Sequence, residues 1–210
     1  MGVLYLDTET TGLKPGQICE LSMIHEADKE IVGVYNYFFS VDSMDQGAQS
    51  VHGYSISDLN LLSNGKRFKD YAKEIESLIV ENTIVAHNLP FDEKFLSVEF
   101  MRLGNYTVKP VSRLDTMKYF KDIVRLPAKL TRYGPYKNPK LSELVSFFNI
   151  SEQKINITCD KLFNTSDSHY LKTSYHDSRF DTTAIYIITN LYREMLYGGD
   201  TWKSVYCSND

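Results

Sequence analysis

The alternation of apolar and polar positions predicts that strands come early in this chain. Residues 3–7 (VLYLD) are mostly apolar and are followed by a Thr-Gly turn at 10–12, a pattern typical of a buried strand. Residues 18–26 and 31–40 predict two more strands, the second rich in Val, Tyr and Phe. Asp28 and Lys29 lie between these two strands and predict a hairpin turn.

Helical spacing dominates the rest of the chain. Helices are predicted at residues 68–81, 92–104, 141–149 and 177–197, a buried strand at 83–87, and a strand followed by a helix at 111–124. The last helix is predicted to bury Ala184, Ile187, Ile188, Leu191, Met195 and Leu196. Early strands that later alternate with helices predict an α/β fold with a mixed central sheet.

Two segments interrupt this pattern and are predicted to be loops or insertions at the edge of the sheet. Residues 151–175 are polar and rich in Ser, Thr, Asn and Asp. Residues 125–140 hold three of the six prolines and five basic residues, without an acidic one. Their side chains are candidates for contacts with phosphates and bases, with a solvated loop as the alternative: Arg125, Lys129, Arg132, Tyr133, Tyr136, Lys137 and Lys140.

Composition limits the class of protein. The 210 residues, of which 42% are hydrophobic and 24% are charged, suit one globular domain over residues 1–200 with a short tail at 201–210. The three cysteines, Cys19, Cys159 and Cys207, lack metal-binding spacing and are expected to be reduced thiols. The sequence shows neither a secretory signal nor an apolar stretch of about 20 residues, so we expect a cytoplasmic protein without a membrane partner.

The formal net charge is −4, whereas proteins that grip duplex nucleic acid over a broad surface are usually basic. Carboxylates that hold metal ions count as negative in this sum, although the loaded site attracts phosphate. The charge therefore disfavours a broad duplex-binding surface and leaves a local nucleic-acid site open.

Asp7 and Glu9 are the first candidates for chemistry. They are two residues apart on the first predicted strand, so their side chains point to the same face. Two carboxylates on an otherwise apolar strand repel each other and lose solvation. Divalent cations remove that cost, and Mg²⁺ held by carboxylates keeps coordination positions for a substrate phosphate. The alternative is a strand end at which both acids reach solvent.

Two later segments carry the same residue types. Asp92 follows a predicted strand and opens a helix after Pro90; the alternative is an acid that interacts with the helix dipole. His176 and Asp181 are five residues apart, about 140° around a helix, so a shared site requires His176 to lie on the loop before the helix. An imidazole there is suited to deprotonating a metal-bound water, and a surface histidine at a helix start is the alternative.

Taken together, the three segments resemble the DEDDh family of 3′–5′ exonucleases, also called DnaQ-like or proofreading-epsilon type. Residues 7–12 (DTETTG) match its DxE motif and the following turn, residues 87–92 (HNLPFD) its HNxxFD motif, and residues 176–181 (HDSRFD) its HxxxxD motif. The strings VHG, LDT and LSELVSFFNI also agree. The resemblance runs from Val3 to Leu196 and therefore includes nearly the whole chain.

The resemblance implies a ribonuclease-H-like fold with a five-stranded mixed sheet flanked by helices. It also implies that nucleoside 5′-monophosphates are removed from the 3′ end of single-stranded nucleic acid with two Mg²⁺ or Mn²⁺ ions. Asp7, which bridges both ions, would bind metal directly together with Glu9 and Asp181. Asp92 would act on the second ion, and His176 would be the general base. Substrate contacts are implied for Thr10, Leu13, His52 and Asn88.

Substrate and pathway stay open. We expect DNA rather than RNA, although no contact with a 2′-hydroxyl is legible in the sequence. An exoribonuclease, a scavenger of short oligonucleotides with the same site, and a non-catalytic polymerase-accessory module are the alternatives. Position 47 is Gly where some proofreading members carry Glu, and the chain ends soon after the last predicted helix. Both features disfavour a dedicated proofreader, while a polymerase or another replication or repair protein stays a candidate partner.

Overall fold

A mixed five-stranded sheet forms the centre of the computed structural model, which describes residues 2–105, 108–129, 134–164 and 174–197. The strands are β1 (Val3–Thr10), β2 (Ile18–Ala27), β3 (Glu30–Phe38), β4 (Thr83–Ala86) and β5 (Ser112–Asp115). Their order is β3-β2-β1-β4-β5. The pairs β1–β2 and β2–β3 are antiparallel, and β1–β4 and β4–β5 are parallel. The predicted ribonuclease-H-like α/β fold with a mixed sheet is confirmed.

Helices cover both faces of this sheet. They are α1 (Gln46–His52), α2 (Ile56–Leu62), α3 (Phe68–Val80), α4 (Leu89–Arg102), α5 (Thr116–Val124), α6 (Leu141–Phe147), α7 (Glu152–Phe163) and α8 (Ser178–Tyr197). Every helix and strand predicted from the sequence is present, with ends that differ by a few residues. The hairpin predicted at Asp28 and Lys29 is also confirmed, because both residues adopt the positive φ angles, 51° and 70°, of a tight two-residue turn.

Three helices differ from the prediction. α1 and α2 were not predicted; α1 buries no side chain and α2 buries only Leu59, so neither carries a buried apolar stripe. Residues 151–175 were predicted to be a loop, and this is wrong for the part that forms α7. The α7 helix starts at a Ser151 cap and fully buries Ile155 and Cys159, while its other positions are mostly polar. Two buried side chains are too few to mark a helix in the sequence, but they suffice to pack it on α8.

The far end of α8 also departs from the prediction. Ala184, Ile187 and Ile188 are buried as predicted, whereas Met195 and Leu196 are 67% and 47% exposed. The helix is about 30 Å long, and the apolar cluster against which it packs includes its residues only as far as Tyr192. The last turn therefore keeps the helical period although this cluster, as far as the structure describes the chain, does not extend to it.

Residues 125–140 form an irregular connection, as predicted, in the part that the structure describes. Its two arms meet at a bridge between Pro127 and Tyr136, where Ala128 N donates to Pro135 O at 2.9 Å. The guanidinium of Arg125 lies 5.9 Å from the centre of the Tyr136 ring. Two of the predicted contact residues, Arg132 and Tyr133, lie outside the described residues.

The alternation along β1 divides the core into two clusters. Leu4 and Leu6 belong to the cluster under α3 and α4, whereas Val3 and Tyr5 belong to the cluster under α5, α6 and α8. Because side chains alternate along a strand, Asp7 continues the face of Val3 and Tyr5. The position of the first acidic motif thus follows from the same period that builds the core.

Two further expectations concern the cysteines and the membrane. Cys19 and Cys159 are free and buried, as predicted for reduced thiols, and Cys207 lies outside the described residues. Among the described helices, none combines the length and the apolar character that crossing a membrane requires.

Candidate active site

The first acidic motif lies where β1 extends beyond its parallel neighbour. β1 pairs with β4 only from Val3 to Tyr5, so Asp7 and Glu9 follow the end of that pairing. Beyond β4 the chain turns at Asn88, whose φ angle is 68°, and enters α4. On the other side, Asp7 and Glu9 still pair with Ser22 and Glu20 of β2. The acids therefore border an open cleft on one side and a continuous sheet on the other.

Asp92 reaches the same place from α4 and is held by the residue between the two acids. The backbone N–H and the hydroxyl of Thr8 both donate to Asp92 Oδ1, at 3.1 and 2.7 Å. Both side chains are buried, with exposed fractions of 6% for Thr8 and 2% for Asp92. Thr8 was not predicted as a site residue; its position inside the DxE string was the available signal.

His176 and Asp181 come from the start of α8. His176 lies before the helix with a φ angle of 69°, and its backbone N–H donates to Asp181 Oδ2 at 3.1 Å. The prediction that the histidine precedes the helix and that the acid lies in its first turns is confirmed. Asp181 Oδ1 is buried and has no hydrogen-bond partner in the described part of the chain. A buried carboxylate oxygen without a donor is a ready ligand for a cation.

One cleft of about 1290 Å³ collects all nine site residues that the resemblance implies. Asp7, Glu9, Thr10, Leu13, His52, Asn88, Asp92, His176 and Asp181 all line it. It is also lined by residues that were not predicted, among them Lys14, Val51, Phe91, Met117 and Tyr175, and by Lys140, which was predicted as a phosphate contact. Val51 and Phe91 lie within the VHG and HNLPFD strings, whereas Lys14, Met117 and Tyr175 belong to none of the matched motifs, so the sequence offered no signal for these three.

The carboxylates fit a hard divalent cation. Ligand atoms of Glu9, His176 and Asp181 lie within 4.8 Å of one another. Oxygen ligands from several carboxylates, one of them lacking any other partner, are the donor set that Mg²⁺ and Mn²⁺ prefer. Asp7 lines the same cleft and is close enough to Asp181, Asp92 and Glu9 for their charges to raise its pKa.

Burial raises the pKa of four carboxyl groups in the cleft, those of Asp7, Glu9, Asp92 and Asp181. Asp7 and Glu9 have pKa values well above the ordinary range, first because of burial and then because of the neighbouring carboxylates. Burial raises the pKa of Asp181 and of Asp92 to about 7, although hydrogen bonds from His176 and from Thr8 oppose the shift. The four carboxyl groups therefore ionise together only at a high cost, which a bound cation would lower.

His52 ends α1 and lies at the rim of the cleft. Its Nδ1 accepts a hydrogen bond from Tyr54 N at 3.1 Å, and its ring stacks on that of Tyr54 with the ring centres 5.4 Å apart. Burial lowers the pKa of His52, so the neutral imidazole that this acceptor role requires is favoured. A Cβ atom placed at Gly47 would meet nothing within 4 Å, so the position of the missing acidic contact is open space.

We expect the stability of the metal-free protein to fall as pH rises from 4 to 8. The ordinary pKa values are 3.8 for Asp92 and 4.5 for Glu20, whereas burial raises them to about 7 and about 8 in the folded protein. At pH values between the ordinary and the raised pKa, the folded state binds more protons than the unfolded state. The contribution of these two carboxyl groups to the free energy of unfolding is therefore full at low pH and is lost as pH rises. Melting temperatures in EDTA measure this slope.

Divalent ions should reverse the loss. At a free concentration of 100 times the dissociation constant they stabilise the folded state by about 2.7 kcal/mol, equivalent to a rise of roughly 5–10 °C in melting temperature for a domain of this size. The rise should be larger at pH 8 than at pH 5, and calcium-free NaCl of matched ionic strength is the control. A melting temperature that is flat between pH 5 and 8 in EDTA would contradict the carboxylate assignment.

Comparisons with known proteins agree with this geometry. Residues 4–154 match the RNase_T family, described as Exonuclease. The chain is 33% identical over 119 residues to DNA polymerase III subunit epsilon of Rickettsia prowazekii, covering 54% of this chain and 51% of that protein. It is 29% identical over 148 residues to the 3′-5′ exonuclease DinG of Staphylococcus haemolyticus, covering 69% of this chain and 15% of that protein. The chain thus spans about half the length of the epsilon relatives.

Solved structures with low sequence identity share the fold. E. coli exonuclease I in complex with a dT13 oligonucleotide superimposes with a TM-score of 0.67 at 16% identity, over 92% of this chain and 41% of that one. Exonuclease X in complex with 5′ overhanging duplex DNA gives 0.58 at 17% identity, over 93% of both chains. The family match includes the motifs of Asp7, Glu9 and Asp92, and α8 supplies His176 and Asp181 in space. The chain belongs to the RNase_T family of exonucleases.

Proposed function

We propose that this protein is a metal-dependent 3′–5′ exonuclease that releases nucleoside 5′-monophosphates from single-stranded DNA ends. The observation that carries the proposal is that Asp7, Glu9, Asp92, Asp181 and His176 line one open cleft. Buried carboxylates of raised pKa that form no salt bridge with any described residue suit a site that binds two divalent ions. Mg²⁺ or Mn²⁺ is the expected ion, since all the ligands offered by the acids are oxygen atoms.

The side chains divide the work. Glu9, Asp7 and Asp181 would hold the ions, and Asp92, oriented by the two Thr8 hydrogen bonds, would act on the second ion. Bound metal supplies an activated water and stabilises the charge that develops on the phosphate oxygens. His176 is exposed and lies outside the helix, so its imidazole is free to accept the proton of the attacking water. Its backbone bond to Asp181 ties the base to a metal ligand.

The rim of the cleft suits a nucleotide. Leu13 and Val51 are 86% and 53% exposed, and such apolar side chains can contact a base. Thr10, His52 and Asn88 supply polar groups beside them, while Lys14 and Lys140 are cations that line the cleft and can meet phosphates. Relatives named DNA polymerase III subunit epsilon support DNA over RNA and suggest a replication polymerase as the partner.

The basic segment at 125–140 has a smaller part in this proposal than its composition suggested. Lys137 forms an ion pair with Glu143, so it is not available as an unpaired phosphate contact. Arg125 packs on Tyr136 away from the residues that line the cleft. Among the described residues of this segment, Asn138, Pro139 and Lys140 line the cleft, and Lys140 is the phosphate contact that we propose.

Digestion of end-labelled oligomers tests the activity. We expect a 5′-labelled DNA strand to shorten one nucleotide at a time in Mg²⁺ or Mn²⁺, and a 3′-labelled strand to lose its label at once as a mononucleotide. EDTA should abolish both reactions, because the carboxylates alone cannot activate water. Activity that survives EDTA, or shortening from the 5′ end, would overturn the proposal.

Matched substrates separate the alternatives. Equal rates on DNA and RNA of the same sequence would contradict the DNA preference, and a faster rate on RNA would favour the exoribonuclease. Strands of graded length distinguish the scavenging enzyme, which would act on the shortest oligomers and leave longer ones intact. A protein that binds strands without releasing nucleotides in either metal would be the accessory module.

A further inference from the structure

The start of α8 is fastened to β2 at the positions that face the acids of β1. Ser178 Oγ lies 2.6 Å from Ser22 Oγ, and the Thr182 hydroxyl donates to Ser22 O at 3.3 Å. In the β1–β2 register, Ser22 pairs with Asp7 and Glu20 pairs with Glu9. Directly paired residues project to the same face of a sheet. The residues of β2 that contact α8 therefore lie beside Asp7 and Glu9, the proposed metal ligands.

A buried charge network lies in the same place. Arg179 Nε donates to Asp177 Oδ1 at 2.9 Å, its Nη2 pairs with Asp177 Oδ2, and Nε lies 3.5 Å from Glu20 Oε1. The side chains of Arg179, Asp177 and Glu20 are 4%, 5% and 0% exposed. Glu20 Oε2 also accepts the backbone N–H of Ser178 at 3.4 Å. Arg179 is thus joined by its planar fork to the loop before α8 and to β2.

This network controls the residue next to the proposed base. Asp177 follows His176 in the chain, and its Oδ1 also accepts the backbone N–H of Arg179 at 3.0 Å. The Tyr54 hydroxyl, 3.5 Å from Asp177 Oδ2, closes the other side. A bidentate guanidinium–carboxylate pair fixes orientation as well as distance. Because Asp177 is held on two sides, the left-handed turn at His176 has a defined position.

A buried ion pair is weak evidence for stability alone, because the desolvation of both charges offsets their attraction. Six acids, Asp7, Glu9, Glu20, Asp92, Asp177 and Asp181, crowd this region, and the single positive charge of the Arg179 guanidinium lies against the two that do not line the cleft, Asp177 and Glu20. The other four acids, which line the cleft, are therefore available to bind metal ions.

We infer that Arg179 and Glu20 form a clamp that positions His176 and Asp181 against Asp7 and Glu9. Neither clamp residue lines the cleft, so both are positioning residues rather than catalytic ones. The inference rests on the proposed function, since the clamp has a purpose only if these residues bind metal. It adds two side chains that no motif identifies and assigns β2 the task of aligning α8 with β1.

The same helix and strand provide a matched control. Near its other end, α8 carries Arg193, whose Nη1 lies 2.5 Å from Glu26 Oε1 of β2. These side chains are 12% and 1% exposed, so this is a second, largely buried arginine–glutamate pair between the same two elements. It lies away from the cleft, because neither residue lines it.

The experiment compares Arg179→Lys with Arg193→Lys. Both substitutions keep the charge and remove the fork. We expect Arg179→Lys to weaken Mn²⁺ binding, measured by calorimetry, and to lower kcat, each by about 10- to 100-fold, with the KM for a DNA strand little changed. Arg193→Lys should lower the melting temperature to a similar extent and leave both Mn²⁺ affinity and kcat at the wild-type value.

Each outcome decides the inference. Equal Mn²⁺ affinity in Arg179→Lys and wild type would overturn the clamp, and so would an equal loss in the two variants. If Arg179→Lys does not fold, Glu20→Gln and Glu26→Gln are compared by the same criterion, because glutamine keeps the size of the side chain. A wild-type protein that binds no Mn²⁺ would instead contradict the proposed function itself, so the two failures are distinguishable.

Discussion

Replacing Asp7 by Asn is expected to abolish nearly all exonuclease turnover and, at the same time, to stabilise the metal-free protein. Asp7 lies between the other acids, and its charge interacts with those of Asp181, Asp92 and Glu9. A metal ion contributes several kcal/mol of transition-state stabilisation, and each 1.36 kcal/mol is a factor of ten in rate. We therefore expect kcat to fall by about 10³-fold or more when the amide replaces the carboxylate.

The gain in stability follows from the raised pKa of Asp7. Burial and neighbouring carboxylates raise that pKa well above the ordinary value, so the ionised form is disfavoured in the folded state at neutral pH. The cost of ionising Asp7 in the folded protein is absent at low pH, where the group is protonated. It grows as pH rises, because an acid whose pKa is raised on folding lowers the free energy of unfolding at higher pH. Asn has nearly the same shape and no charge, so Asp7→Asn should melt at a higher temperature than wild type in EDTA.

Opposite signs in two measurements make this prediction sharp. Activity on a 5′-labelled strand in Mn²⁺ gives the loss, and melting in EDTA at pH 8 gives the gain. Asp122→Asn is the matched control, because Asp122 is an exposed acid on α5 that does not line the cleft. Loss of stability on Asp7→Asn would show that the carboxylate is held by hydrogen bonds rather than reserved for metal.

Replacing His176 by Ala is expected to lower kcat by about 10²–10⁴-fold, the contribution of a positioned general base. Metal binding should be largely retained, because Glu9, Asp7 and Asp181 keep their carboxylates. The bond from His176 to Asp181 involves the backbone N–H, which the substitution leaves in place. The substitution therefore removes the imidazole and keeps the backbone contact between position 176 and Asp181.

Calorimetry with Mn²⁺ distinguishes a base from a ligand. Ligand atoms of Glu9, His176 and Asp181 lie within 4.8 Å of one another, so the geometry also permits direct coordination by the imidazole. A loss of Mn²⁺ affinity in His176→Ala as large as the loss in kcat would favour that role and contradict the base. His25→Gln, remote from the cleft and bonded to Asn82, is the histidine control.

The site could be predicted largely because its residues are concentrated in short strings at the ends of strong secondary-structure signals. The same-face placement of Asp7 and Glu9 follows from the period of a strand, and the loop position of His176 follows from the period of a helix. Both periods are local, so one sequence suffices to infer them. The cleft then collects these residues as expected.

Contacts between distant segments could not be predicted in the same way. Thr8 orients Asp92 across 84 positions of the sequence, and Ser178 reaches Glu20 across 158. Charged residues are almost never fully buried unless they are paired. From the sequence alone, Glu20 and Arg179 would therefore be expected at the surface. Their pairing is visible only when α8 lies on β2.

The amino-acid sequence alone predicts which groups we propose for the chemistry and on which local element each one lies, because periodicity and turn chemistry act over a few residues. The tertiary structure decides how these elements are aligned. Strand register sets Glu20 opposite Glu9, and the packing of α8 leaves Asp181 Oδ1 buried without a hydrogen-bond partner among the residues that the structure describes. Alignment and burial depend on every element that meets at the site, and no single segment of the chain encodes them.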